Sequence, residues 1–217
     1  MLIKFTVPLF IIALAISIEY LGIDLILVQP FYDFSSHMWP YKSYWFTQKV
    51  LHDGGRNLVI FIDIIFFLLL MCSLFYNKLK PYRKGFLYLL ITSLLGPSLA
   101  ALGKHTTHIY SPYDLTLFGG TEPYIRIFDP VPEGAKIGKA FPAGHSSGAF
   151  AFLSLYFFAL KYRPLLRYHG LFFALILGSI FGVTQQIRGA HFLSHDLFSL
   201  VICWYNALIT YCLILKS

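Results

Sequence analysis

The sequence predicts an all-α integral membrane protein, a bundle of six transmembrane helices whose polar chemistry gathers in an extramembrane active-site loop region. Three observations carry this expectation. Of the 217 residues, 57% are hydrophobic and only 12% charged, and the mean hydropathy of +0.66 is too high for a soluble domain to hide in one core. The apolar residues run in blocks long enough to cross a hydrocarbon layer. No ten-residue alternation typical of a membrane barrel interrupts them, so helices, which pair each N–H and C=O within their own segment, are what remains.

The spans fall at roughly 5–27, 57–76, 86–103, 145–160, 170–187 and 197–215. The first follows Met1 and Lys4 without a small-residue cleavage site behind a short apolar core, which reads as an anchor and not a removed signal. Pro97 lies inside the third span, where it makes a tolerated kink. Cys72, Cys203 and Cys212 sit in or beside apolar runs and read as packing residues. No internal repeat or second domain stands out, so residues 1–217 form one unit.

Orientation follows from charge. Lys78, Lys80, Arg83 and Lys84 crowd the loop after the second span, Lys161, Arg163 and Arg167 the loop after the fourth, and Lys4 and Lys216 flank the termini. By the positive-inside rule these mark the cytoplasmic side, with both termini on it. The formal charge of +7 is thus a topology signal and not a nucleic-acid patch. The longer segments 28–56 and 104–144, and the link 188–196, share the outer face, where chemistry is expected.

Four polar patches mark the outer span ends: Lys104 with His105 and His108; Pro142-Ala143-Gly144-His145-Ser146-Ser147-Gly148; Arg188 with His191; and His195 with Asp196. The second opens a span, so N–H groups near Gly144 and Ser146 lie unpaired at a positive helix end that favours phosphate. If 188–195 is helical, Arg188, His191 and His195 share one side. Lysine and arginine stabilise phosphoryl oxygens, one imidazole can attack phosphorus, and a second can protonate the leaving oxygen. The set suits phosphoryl transfer without metal or cofactor.

These residues resemble the type 2 phosphatidic acid phosphatase (PAP2) superfamily, in its bacterial membrane lipid phosphatase branch. That family reads Lys, six residues, Arg-Pro; then Pro-Ser-Gly-His; then Ser-Arg, five residues, His, three residues, Asp. Here Lys104 and Pro112 fit the first motif, with Ser111 in place of Arg; Pro142-Ala143-Gly144-His145 fits the second, with Ala for Ser. In the third, Thr184 and Gln185 stand in the Ser-Arg places, His191 matches, and His195 stands in the Asp place. The resemblance implies that His191 is the nucleophile, His145 the general acid and Lys104 a phosphate ligand. Arg188, one turn after Gln185, is expected to replace the missing Arg, and His195 or Asp196 the missing Asp.

The expected activity is removal of phosphate from a lipid at the periplasmic face of a bacterial inner membrane, with undecaprenyl pyrophosphate, lipid A, phosphatidylglycerol phosphate and phosphatidic acid as candidate substrates. Phosphoryl transfer to another lipid is the alternative within the same chemistry. A non-catalytic phospholipid-binding protein or transporter is the alternative outside it, favoured if the departures at Ser111, Gln185 and His195 mean lost activity. His37, His52, His105 and His108 lack comparable context and stay outside the expected site. Glu19, Asp24 and Asp63 read as structural, and Trp39, Trp45 and Trp204 as interface anchors. The stretch 113–124 either caps the site or simply connects.

Overall fold

The helices form a bundle, and the chain segments around Tyr32, Trp39, Leu115 and Phe118 build a cap with its own apolar cluster. The computed structural model describes residues 3–216; the expectations resting on Met1 and on the Lys4 side chain lie outside what is described. In chain order the helices are α1 (Ile3–Tyr20), α2 (Ile23–Val28), α3 (Gly54–Phe75), α4 (Arg83–Lys104), α5 (Gly144–Phe150), α6 (Ser154–Tyr162), α7 (Arg167–Ile187) and α8 (Leu193–Ile214). A π-helix, Phe46–Asp53, leads directly into α3.

Among the described residues, four stretches are long and apolar enough to cross a membrane: Phe46–Phe75, Lys80–Lys104, Pro164–Ile187 and Leu193–Ile214. A fifth is added if α1 and the turn of chain after it count as one span, bent by 75° at Leu21 and Gly22. Gly22 takes φ 72°, a left-handed conformation that a residue without Cβ adopts at little cost. The residues of the expected span 145–160 form α5 and α6 joined by a 3-10 turn, Ala151–Leu153, and are not among these stretches, so four or five crossings stand where six were expected; the expected span at 57–76 begins eleven residues earlier. Pro97 lies within an unbroken α4.

Burial is inverted relative to a soluble bundle. Leu58, Ile60, Phe61, Ile64, Phe67 and Leu68 of α3 face outward, where only hydrocarbon suits them. Inside, Tyr88, Phe152, Leu153, Phe157, Cys203 and Ala207 form the core. Cys203 is a packing residue there, and all three cysteines are free. The α8 helix is the central post, packed on α1, α4 and α5. Two polar contacts lock it to α4: Tyr88 Oη donates to the Ala207 carbonyl at 3.0 Å, and Asn206 Nδ2 to the Thr92 carbonyl at 2.9 Å. Without competing water such bonds hold helices in register.

Asp24 has the structural role expected of it. Its carboxylate accepts the Ser194 backbone N–H at 3.1 Å and the Ser194 hydroxyl, capping the first turn of α8 from α2. An anionic cap at a helix N-terminus satisfies orphan donors and complements the dipole. Glu19, also buried, accepts the Ile127 N–H at 3.2 Å and so pins the segment around Ile127 to α1.

The cap has its own apolar cluster of Val28, Tyr32, Trp39, Tyr110, Leu115, Phe118, Ile125 and Phe192. Trp39, expected as an interface anchor, belongs to this cluster, whereas Trp45 is exposed. Its indole lies directly over Gly189, where an added Cβ would come within 2.5 Å of the ring. Gly189 also takes φ 69°. Gly189→Ala is therefore expected to destabilise the protein by about 2–4 kcal/mol, combining left-handed strain with displacement of Trp39. Thermal melts in detergent read this out, and a melting temperature equal to wild type would refute it.

Candidate active site

The C-terminal ends of α4 and α7, the start of α5 and the turn before α8 converge on one cavity of about 710 Å³. Each places a group by its position on an element. Lys104 is the last residue of α4, and its ammonium folds over the start of α5, so that a Cβ on Gly144 would lie 3.0 Å from Nζ. Glycine there lets the ammonium approach the helix end. His145 follows as the second residue of α5, and its ring is clamped between His52 and Phe181, each stacked with centroids 4.6 Å away. The Leu51 carbonyl acts on the same ring, and Nε2 is buried with no partner in the protein.

Arg188 terminates α7. Its Nε donates to the Lys42 carbonyl at 3.1 Å, Nη1 to Gln185 Oε1 at 2.9 Å, and Nη2 to Gln48 Oε1. Held from three sides, the guanidinium is preorganised. Gln185, which stands where the family motif has Arg, is thus in direct contact with the Arg expected to replace it, and both line the cavity. Ser111, the other position where the motif has Arg, lines it too.

His191 also lines the cavity, in the non-helical turn between α7 and α8. Burial holds its imidazole well below the ordinary value of 6.5, and the Lys104 charge and the His195 and His145 rings act in the same direction. The ring is therefore neutral at pH 7. Its Nδ1 is buried; the Ala140 carbonyl acts on it, without a hydrogen bond of good geometry.

Of the eight residues expected from the sequence, Lys104, Gly144, His145, Arg188 and His191 meet on the cavity wall, and Ser146, His195 and Asp196 do not. The expected helical face through Arg188, His191 and His195 is absent because Gly189 turns the chain and α8 starts only at Leu193. His195 is buried behind His191, its ring 6.0 Å away and edge-on to Phe141 and Phe192. The Asp196 carboxylate accepts Gln186 Nε2 at 2.8 Å and faces Ser146, and an added Cβ on Gly182 would lie 2.7 Å from it. It ties α5, α7 and α8 together. Among the described residues, neither His195 nor Asp196 hydrogen-bonds to His191.

The cavity also contains groups that sequence reasoning passed over. His52 and Arg56 reach it from the π-helix and the first turn of α3, Lys42 and Lys139 from the cap, and Tyr113 from the stretch 113–124, which therefore does touch the site. The spacing of His52 and Arg56 by four was the available signal, hidden because residues 46–56 read as loop. His37, His105 and His108 do not line the cavity.

An apolar bundle with clustered histidines and cations at one end of its helices defines a polytopic membrane protein with a polar cavity at the helix ends. The family model of the PAP2 superfamily matches residues 84–217, and the chain belongs to that superfamily. It is also similar to a lipid A 4'-phosphatase of Francisella tularensis subsp. novicida (strain U112), with 25% identity over 203 residues that cover 90% of this chain and 88% of the relative. No solved structure matches.

Proposed function

We propose that this protein is a membrane lipid phosphatase that removes phosphate from a lipid through a phosphohistidine intermediate, as a single domain over residues 1–217. The observation that carries the reading is the convergence of Lys104, His145, Arg188 and His191 on one cavity at the helix ends. His191 lines the cavity with its Nδ1 buried, and in this reading its Nε2 attacks phosphorus in line. The P–O bond to the lipid breaks, His145 delivers a proton to the departing oxygen, and water then attacks the phosphohistidine to release phosphate. Lys104 and Arg188 hold the phosphoryl oxygens, with the Gly144 end of α5 beside them. No metal or cofactor takes part. Asp196, with Ser146 and His195, acts behind the wall by fixing the helices that present these groups.

Membership of the PAP2 superfamily and the likeness to a lipid A phosphatase support a phosphorylated lipid as substrate. In this reading α5 and α6 make the sixth crossing, the termini and the basic loops face the cytoplasm, and the cavity opens at the periplasmic face of the inner membrane. Phosphate release from purified lipid A, undecaprenyl pyrophosphate, phosphatidylglycerol phosphate and phosphatidic acid in detergent tests it. Release from none of them, by protein that is folded by thermal melt, would sink it.

The replacement of the motif Arg by Arg188 has its own test. Arg188→Ala removes a cation that three bonds aim at the cavity, and kcat/KM is expected to fall about tenfold to a hundredfold. Gln185→Ala, which loses only a neutral support, is expected to fall less. The opposite order in steady-state assays would refute the replacement.

A further inference from the structure

The cavity wall facing the motif residues is contributed by residues 42–63, all outside the stretch 84–217 that matches the family. His52, Arg56 and Asp63 lie along one side of the continuous π-helix and α3, spaced by four and seven, and all line the cavity. His52 stands against the proposed general acid, its ring on that of His145, and its Nδ1 is 3.0 Å from Asp53 Oδ1. Arg56 is one helical turn, about 6 Å, further along the axis, and its charge also acts on His145. Lys42 comes from the cap, its ammonium 3.7 Å from the centre of the Tyr113 ring.

Charge decides what this wall is for. Lys42, Arg56, Lys104, Lys139 and Arg188 line the cavity against one carboxylate, Asp63. Among the described residues none of the five is in an ion pair. A phosphate monoester carries at most about two negative charges. Lys104 and Arg188, beside His191 and His145, suffice for it. The remaining cations repel one another in a confined site unless a second anion joins the first.

We infer that His52 and Arg56, with Lys42 at the mouth, form a second anion subsite that takes another acidic group of the same amphiphile, next to the phosphate that is removed. The inference rests on the phosphatase reading for the identity of the first anion. It narrows the substrate to lipids bearing a pyrophosphate, or a second acidic group within about one helical turn of the first. Since His52 sits level with His145 and Arg56 lies further into α3, the second group is held on the side from which the lipid chains approach.

Binding and turnover test this separately. Titration calorimetry on the full-length protein in detergent is expected to show inorganic pyrophosphate binding at least about tenfold more tightly than inorganic phosphate. Arg56→Gln should remove most of that preference, Lys42→Ala part of it, and Arg56→Lys should retain more than Arg56→Gln; Arg56 and Lys42 are exposed, so folding is not at stake. Equal affinities in the wild type, or a preference unaltered in both Arg56→Gln and Lys42→Ala, would overturn the subsite. In turnover, the ratio of kcat/KM for farnesyl pyrophosphate over farnesyl phosphate should fall about tenfold in Arg56→Gln, and an unchanged ratio would overturn it as well. Stimulation of farnesyl phosphate hydrolysis by free phosphate would overturn the assignment to the lipid itself. Should the wild type hydrolyse neither lipid yet show the pyrophosphate preference, the phosphatase reading fails and the anion subsite stands.

Discussion

His191→Ala is expected to abolish phosphate release from a lipid phosphate and from an aryl phosphate alike, by at least about four orders of magnitude. A nucleophile is needed whatever the leaving group, and the other imidazole on the open wall, His52, is stacked on His145 and paired with Asp53. His195 is buried behind the wall, and His145 is clamped between two rings. Acid-labile phosphate trapped on the wild type should be missing from the variant. The environment of His191 adds a pH signature. Burial, then the Lys104 charge, depresses its folded value below 6.5, so the neutral ring persists as the pH falls through that value. The acid limb of kcat/KM assigned to the nucleophile should therefore lie below pH 6.5. The same sign holds for stability: a depressed folded value contributes stability that is complete above the unfolded value near 6.5 and is lost as the pH drops below it. Robust phosphate release by His191→Ala, or arrest of the wild type by EDTA, would point instead to a metal-activated water.

His145→Ala should separate the two substrates that His191→Ala does not. A lipid alkoxide is a poor leaving group, and loss of the group that protonates it should slow phosphoenzyme formation by about a hundredfold or more. An aryl phosphate leaves with little protonation and should suffer much less. The ring is fixed by its two stacking partners, and Nε2 is buried with no hydrogen-bond partner among the described residues. The dianionic phosphate, once bound, stabilises the proton this ring must hold. Stopped-flow measurement of the first turnover gives the comparison, and equal slowing of both substrates would remove His145 from the proton-transfer step.

The membrane character of the chain was legible because hydrocarbon, as a solvent, admits long apolar helices and little else, and these show in composition alone. Lys104, His145, Arg188 and His191 were legible for a related reason. Ionisable groups at the ends of apolar spans stand out against the lipid-facing sequence around them, and their order resembles a known set of motifs. Spacing alone could not tell which neighbours share their cavity. His195 stands where the motif has Asp, yet the turn at Gly189 and the late start of α8 send it behind His191. Asp196 is drawn to Gln186 and away from the cavity.

The converse error concerns residues 46–56. Gln48, Lys49, His52, Asp53 and Arg56 read as a polar loop, but they form a π-helix continuous with α3, the kind of helix irregularity that recurs at functional sites. His52 and Arg56 thereby enter the cavity from the wall opposite the motifs. The sequence by itself determined that this protein lives in a membrane as helices, and that cationic and imidazole groups collect at one set of helix ends, since both follow from solvent and chain order. Only the tertiary structure decided that a further cation-bearing wall of the cavity comes from residues 42–63, that His145 is clamped by His52 and Phe181, and that Asp24 caps α8. Those contacts join segments tens of residues apart, and lateral packing of helices, which no periodicity along the chain encodes, brings them together.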